Sequence, residues 1–139
     1  MQTVGLVGLG NMGRGMALSL TRAGFAVLGH DAAPAIRAAR VADGIPLAAD
    51  IAAILAETDV VLLSLPHAAA VEAVVAGPGG ILETGRPGLL VVDTSTSEPA
   101  TTRRLAGRLA EAGMRLLDAP VSGGPKGALA GTMTIVIGG

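Results

Sequence analysis

The chain has 139 residues, half of them hydrophobic, with one Phe, no Trp, no Tyr, no Cys and a formal net charge of −1 at pH 7. That length suits one domain with its own core, and the core has to be aliphatic. The near-neutral charge gives no electrostatic case for nucleic acid or an anionic membrane, no apolar run is long enough to span a bilayer, and the absence of Cys with only two isolated His excludes a disulfide framework, thiolate chemistry and a metal site.

Residues 3–7 are a short apolar run that reads as a strand. They lead directly into Gly8-x-Gly10-x-x-Gly13. Met12, Met16 and Leu20 then recur every fourth residue, as on the buried face of a helix, and Gly24 stops it. Residues 26–30 are a second strand, and Asp31 follows at its end, eighteen residues after Gly13. Strand, glycine turn, helix, strand and acid in this order are the layout of a dinucleotide-binding βαβ unit. Gly8 lets the chain turn tightly out of the strand. Gly10 leaves the backbone open to a pyrophosphate. Gly13 lets the helix pack close, and the helix N-terminus, with its dipole, faces the phosphates. Asp31 is placed to accept the ribose hydroxyls, and also to cap a helix before Pro34. A carboxylate there repels a 2′-phosphate and no Arg follows at once, so NAD is expected rather than NADP. Arg37 and Arg40 lie further on and are assigned to a solvated helix face.

The alternation continues. Asp50 can cap a helix carrying Ile51, Ile54 and Leu55. Residues 60–65 form a strand, 69–75 a short helix stopped by Gly77-Pro78, and 77–88 a loop. Residues 89–93 form a strand. Ser97 can cap a helix with Pro99 in its first turn and Leu105 and Leu109 facing the sheet. Arg103, Arg104, Arg108 and Glu111 make its solvated face, with Arg108 and Glu111 spaced to pair. Strands at 116–118 and 134–137 complete the chain. Three segments repeat one pattern, Arg22-Ala23-Gly24-Phe25, Ala42-Asp43-Gly44-Ile45 and Glu111-Ala112-Gly113-Met114: helix, glycine cap, then strand. The fold class is α/β, a Rossmann-type doubly wound, mostly parallel sheet occupying residues 1–139 as one domain. The first residues already read as a strand rather than a signal peptide, so a cytoplasmic location is expected.

Gly8-Leu9-Gly10-Asn11-Met12-Gly13, Leu65-Pro66, Asp93-Thr94-Ser95-Thr96 and Asp118-Ala119-Pro120-Val121-Ser122-Gly123-Gly124 stand in one order along the chain. Together they resemble the β-hydroxyacid dehydrogenases, a family that includes 3-hydroxyisobutyrate dehydrogenase, tartronate semialdehyde reductase and relatives of 6-phosphogluconate dehydrogenase. The resemblance implies that Gly8, Leu9, Gly10, Asn11, Met12 and Gly13 cradle the pyrophosphate and Asp31 holds the adenosine ribose. It implies that Leu65 and Pro66 end a strand at the cofactor and that Thr96 lies near the nicotinamide ribose. Ser122, Gly123 and Gly124 are implied to hold the carboxylate and hydroxyl of a small hydroxy acid. A hydroxyl and two unobstructed N–H groups suit that task, although Ser-Gly-Gly-Pro taken alone reads as a plain turn.

The family's base is a lysine on a long helix that opens a second, all-helical domain. These 139 residues contain neither, so no catalytic residue is assigned in this chain. The one lysine, Lys126, does not occupy that place, and an exposed loop lysine is a poor base near neutrality. His30 is expected beside the adenosine and His67 where the cofactor passes. Association into a homo-oligomer is expected, because the face that a helical domain would cover is apolar. Two other readings stay open: a non-catalytic dinucleotide-binding module or NADP-using semialdehyde reductase, and a methyltransferase-like or flavin-binding α/β domain. The Asp118–Gly124 stretch argues against the non-catalytic module and the methyltransferase-like or flavin-binding domain.

Overall fold

The structure is a computed structural model that describes residues 2–95, 98–122, 124–131 and 134–135. Five strands, β1 (Thr3–Val7), β2 (Ala26–His30), β3 (Val60–Leu63), β4 (Leu90–Asp93) and β5 (Arg115–Asp118), form a parallel sheet in the order β2-β1-β3-β4-β5. β6 (Val121–Ser122) and β7 (Thr134–Ile135) pair antiparallel beside it. The helices are α1 (Asn11–Arg22), α2 (Pro34–Ala42), α3 (Ile51–Leu55), α4 (Ala68–Ala76), α5 (Ile81–Thr84), α6 (Pro99–Glu111) and α7 (Gly124–Ala130). The chain builds outward from β1 to β2, then returns to lay β3 on the other side of β1. That reversal opens a crevice at the carboxyl ends of β1 and β3.

Both faces of the sheet are covered, and side chains alternate between them. Leu6 and Val27 pack with Met16 and Ala17 of α1 and Ala128 of α7 on one face. Val7, Val61, Leu63 and Val91 pack with Ile54, Val71, Ile81 and Leu105 from α3, α4, α5 and α6 on the other. The core is aliphatic as expected, and the sole aromatic, Phe25, is 38% exposed.

The three glycine repeats are one device used three times. At Gly24, Gly44 and Gly113 φ is +96°, +81° and +79°, and the next N–H reaches back to Leu20, Arg40 and Leu109. Each closes a helix in a left-handed cap that a Cβ would strain. The first and third then enter β2 and β5. The second does not: after Gly44 the chain makes only an isolated bridge, Gly29 to Leu47, before α3 begins.

Several local expectations are corrected. Residues 77–88 are not all loop, because Ile81 buries into the core and carries α5 with it. β3 ends at Leu63, short of Leu65. Asp50 does cap α3, accepting the Ala53 N–H at 2.9 Å, but Ser97 lies outside the described residues and Glu98 stands at the cap of α6. The cap of α2 is Ala33, not Asp31. Arg40 is buried rather than solvated, packed against Asp43, which also takes a bidentate pair of bonds from Arg14 of α1 at 2.9 and 3.3 Å. That guanidinium holds the Asp43 carboxyl below the usual carboxylate range. Among the described residues Arg104 pairs with Glu72 of α4, and the expected Arg108–Glu111 ion pair does not form.

α7 lies directly on α1. A Cβ on Gly15 would stand 2.6 Å from the Leu129 nitrogen and 2.8 Å from the Ala128 Cβ, while Ser19 and Arg22 bond the last carbonyls of α7. Gly107 of α6 instead faces open space. The same substitution therefore has opposite signs. Gly15→Ala destabilises by about 1–3 kcal/mol through overpacking, whereas Gly107→Ala stabilises by about 0.5–1 kcal/mol through helix propensity. Urea unfolding of both variants checks this, and a stabilising Gly15→Ala would refute the α1–α7 contact.

Asp93 and Asp118 stand in register at the ends of β4 and β5, about 4.8 Å apart in backbone spacing. Asp93 is buried and Asp118 half-buried. Burial, and then the charge of Asp93, raise the Asp118 carboxyl above the usual range. The folded state thus binds this proton more tightly than the unfolded one. Its stabilising effect is full at pH values below the ordinary carboxylate range and fades as pH rises through the raised value. Asp118→Asn is expected to add stability near pH 7.5, by under about 1 kcal/mol because solvent screens the group, and to add none near pH 3.5. Equal gains at both pH values in urea titrations would contradict the pairing.

Candidate functional site

The crevice at the ends of β1 and β3 is a cleft of about 580 Å³, within the range of small-molecule sites. Its floor is the turn from β1 into α1. Gly8 has φ +97°, its N–H bonds the His30 carbonyl at 2.9 Å, and a Cβ there would collide with the carbonyl of Ser64. A Cβ on Gly13 would collide with the carbonyl of Gly8. Gly10 faces open space and is the N-cap of α1, with no side-chain acceptor and no acidic residue in the first turn. The leading N–H groups of α1 are therefore free of a protein side-chain cap, and they can hold an anion with the help of the helix dipole. An open cradle of this shape fits a pyrophosphate, which Cβ atoms at Gly8 or Gly13 would destroy.

Asp31 borders the same cleft at the end of β2. Its Oδ2 accepts the Leu9 N–H at 2.8 Å and its Oδ1 accepts the Ala33 N–H at 2.9 Å. Those two bonds orient the carboxylate and leave lone pairs on both oxygens. Arg37 folds back on this corner, its Nη1 donating to the carbonyls of Asp31 and Ala32 at 2.7 and 2.9 Å. Leu65 and Pro66 form the opposite wall with Ser64.

Of the residues singled out in the sequence, Gly8, Gly10, Asn11, Met12, Gly13, Asp31, Leu65 and Pro66 meet in this one cleft. Leu9 does not line it. Its side chain is buried against Gly29, and only its N–H reaches Asp31. Thr96 and Gly123 lie outside the described residues. Ser122 ends β6 and Gly124 starts α7. Lys126 is an exposed residue of α7 rather than of a loop. His30 borders the cleft and its Nδ1 lies 3.2 Å from the Ala48 carbonyl oxygen. His67 caps α4 by accepting the Ala70 N–H at 3.1 Å. The sequence reading missed Ala70, Ala73 and Val74, which turn one stripe of α4 toward the cleft. Their i, i+3, i+4 spacing is the signal that could have found them. Among the described residues no helix is long and apolar enough to cross a membrane.

Residues 3–139 match the family model of the NAD binding domain of 6-phosphogluconate dehydrogenase. The chain is 43% identical over 135 residues to 2-(hydroxymethyl)glutarate dehydrogenase of Eubacterium barkeri, covering 97% of this chain and 45% of that protein. It is 37% identical over 139 residues to the NAD-dependent L-serine dehydrogenase of Pseudomonas aeruginosa, covering 100% of this chain and 47% of that one. The solved structure of Mycobacterium tuberculosis 3-hydroxyisobutyrate dehydrogenase with L-serine superposes with a TM-score of 0.90 at 37% identity, over 100% of this chain and 47% of that one. The chain thus spans about half the length of the curated relatives it matches. A family model that runs almost end to end, on a doubly wound sheet whose glycine turn and strand-end acid meet in one cleft, makes this chain a member of the β-hydroxyacid dehydrogenase family, carrying its NAD-binding domain.

Proposed function

We propose that these residues are the cofactor-binding part of an enzyme that moves a hydride between a small β-hydroxy acid and NAD. The observation that carries this reading is the convergence of an uncapped α1 N-terminus, a Cβ-free turn and the Asp31 carboxylate on one cleft. In it, the backbone of Gly8, Leu9, Gly10, Asn11, Met12 and Gly13 holds the pyrophosphate, Asp31 accepts from the adenosine ribose, and Leu65 and Pro66 wall the cleft, with Thr96 beside the second ribose. NAD, when bound, supplies the hydride acceptor. Ser122, Gly123 and Gly124 hold the acid's carboxylate through a hydroxyl and backbone N–H groups, without a fixed charge. The relatives whose names specify hydroxymethylglutarate, L-serine and 3-hydroxyisobutyrate support a small hydroxy acid as the substrate class. The base is a lysine of a helical domain beyond these 139 residues, as the family resemblance implies. Self-association of the chain is supported by an open apolar groove lined by Leu62, Val92, Leu117, Met16, Leu20 and Val121.

The ribose corner favours NAD over NADP. A 2′-phosphate would face the Asp31 carboxylate, and the nearest guanidinium, Arg37, is engaged by two carbonyls. The chain is expected to bind NAD more tightly than NADP, and Asp31→Ala to narrow that gap by roughly 1–2 kcal/mol, since it removes both a charge-assisted hydrogen bond and a repulsion. Calorimetric titration checks this, and equal affinities in the unsubstituted chain would sink it.

The 139 residues alone are expected to form no NADH from 3-hydroxyisobutyrate, glycerate, threonate or 4-hydroxybutyrate. Hydride transfer needs the alcohol proton removed while the carbon is held in place, and no base is positioned for that among the described residues. A chain extended through the helical domain is expected to oxidise one of these acids. Turnover by the 139 residues that disappears in Lys126→Ala would overturn this reading and make Lys126 the base.

A further inference from the structure

Leu63 and Asp93 are the last registered pair between β3 and β4. Beyond it, the two chains are free to splay. They do not, because side chains extend the ladder. Thr94 donates its N–H and its hydroxyl to the Leu63 carbonyl at 2.9 and 2.6 Å. The Ser95 Oγ accepts the Leu65 N–H at 2.8 Å, and the Ser95 N–H is itself held by Asp93 Oδ1 at 2.9 Å. All three side chains are buried. On the other flank, the Ser64 N–H bonds the Val7 carbonyl at 2.9 Å. Pro66 has no N–H, so the Leu65 amide is the final donor of this wall. Its acceptor is a buried hydroxyl that carries no part of the chemistry described so far.

We propose that Ser95, oriented by Asp93, is a positioning residue for the cofactor: its hydroxyl fixes the Leu65-Pro66 wall for the half of NAD remote from the adenosine. The inference rests on the assignment of Asp31 to the adenosine ribose. Asp31 follows β2 and Leu65 follows β3, two strand spacings away in the order β2-β1-β3, or about 10 Å. A ligand anchored by ribose at Asp31 and by its first phosphate at α1 meets residue 65, whose side chain stands beside Gly8, with its pyrophosphate and the half beyond it. AMP lacks that half, so the two ligands separate a positioning role from a general loss of structure.

The test is calorimetric titration of the chain and of Ser95→Ala with NAD and with AMP, alongside thermal melts and amide exchange at Leu65. Ser95→Ala removes one oxygen from a well-packed site, and a cooperative melt shows that it folds. It is expected to weaken NAD about tenfold, to change AMP less than about twofold, and to speed exchange at Leu65 more than at Leu63. Unchanged NAD affinity, or equal losses for NAD and AMP, would overturn the proposal. Absence of NAD binding in the unsubstituted chain would overturn the cofactor reading and this inference with it, whereas NAD binding that Ser95→Ala leaves untouched overturns the inference alone.

Discussion

The structure depends on how closely three pieces of backbone meet at the end of β1. The Gly8 carbonyl occupies the space where a Gly13 side chain would stand, and the Ser64 carbonyl occupies the space of a Gly8 side chain. β1, α1 and the end of β3 are therefore locked together at a point where no Cβ fits. Moving α1 outward to admit one would break its contact with α7, because Gly15, two residues further on, lies equally close to Leu129 and Ala128. The glycines are thus a packing requirement as much as a ligand requirement. They set the height of the α1 N-terminus above the sheet, and that height decides whether the cleft exists.

The helices differ in how they begin, and the difference follows function. Asp50 caps α3 and His67 caps α4 with side-chain acceptors, and α2 and α6 start with Pro, which needs no N–H partner at that position. α1, the helix that carries the turn, has neither an accepting cap residue nor an acid in its first turn. A capping acid there would gain local stability and fill the site with its own charge. Leaving the helix end unsatisfied costs something in the free domain, and bound anion would recover it. Sites where a local rule is broken while its neighbours obey it are where function is expected.

Most of the architecture was legible because it is written in local signals. The glycine turn, the three helix-ending glycines and the short apolar strands report backbone requirements that do not depend on distant residues. What escaped depends on partners far along the chain. Arg40 reads as a surface residue until Asp43 and Arg14 are brought around it. α5 sits inside a glycine- and proline-rich stretch, and only the burial of Ile81 makes it a helix. The glycine at position 44 announces a cap correctly, yet the strand that follows Gly24 and Gly113 is missing there, because Leu47 finds only the single bridge to Gly29. At the site, Asp31 was legible by spacing, but its bond to Leu9 was not, since nothing in Gly-x-Gly says which amide turns toward the acid. The role of Ser95 is not legible in its motif, because its partner Leu65 lies thirty residues earlier.

The carboxyl end of the sheet gathers polar side chains that a fold selected for stability alone would avoid. Asp93 is buried beside Asp118, whose proton is held more tightly by that burial and that charge. Thr102 of α6 leaves a buried hydroxyl without a hydrogen-bond partner among the described residues. Apolar residues at these positions would extend the cluster formed by Val91, Leu105 and Leu109 directly below. The polar choice makes sense only at this end of the strands. Asp93 holds Ser95, Ser95 holds the wall of the cleft, and β5 leaves Asp118 straight into the Ala119-Pro120-Val121-Ser122 stretch. In a parallel sheet every strand delivers its carboxyl end to the same edge, so ligand-facing loops and the buried polar groups that brace them compete for one row of positions. Here the row is divided by depth: the strand-end carboxylates lie in the sheet, the threonine and serine hydroxyls lie one and two residues beyond Asp93, and the cleft lies above both. The middle layer transmits the rigidity of the ladder to a wall that has left it. That arrangement explains why so much hydrogen-bonding capacity is buried where the sheet itself has no use for it.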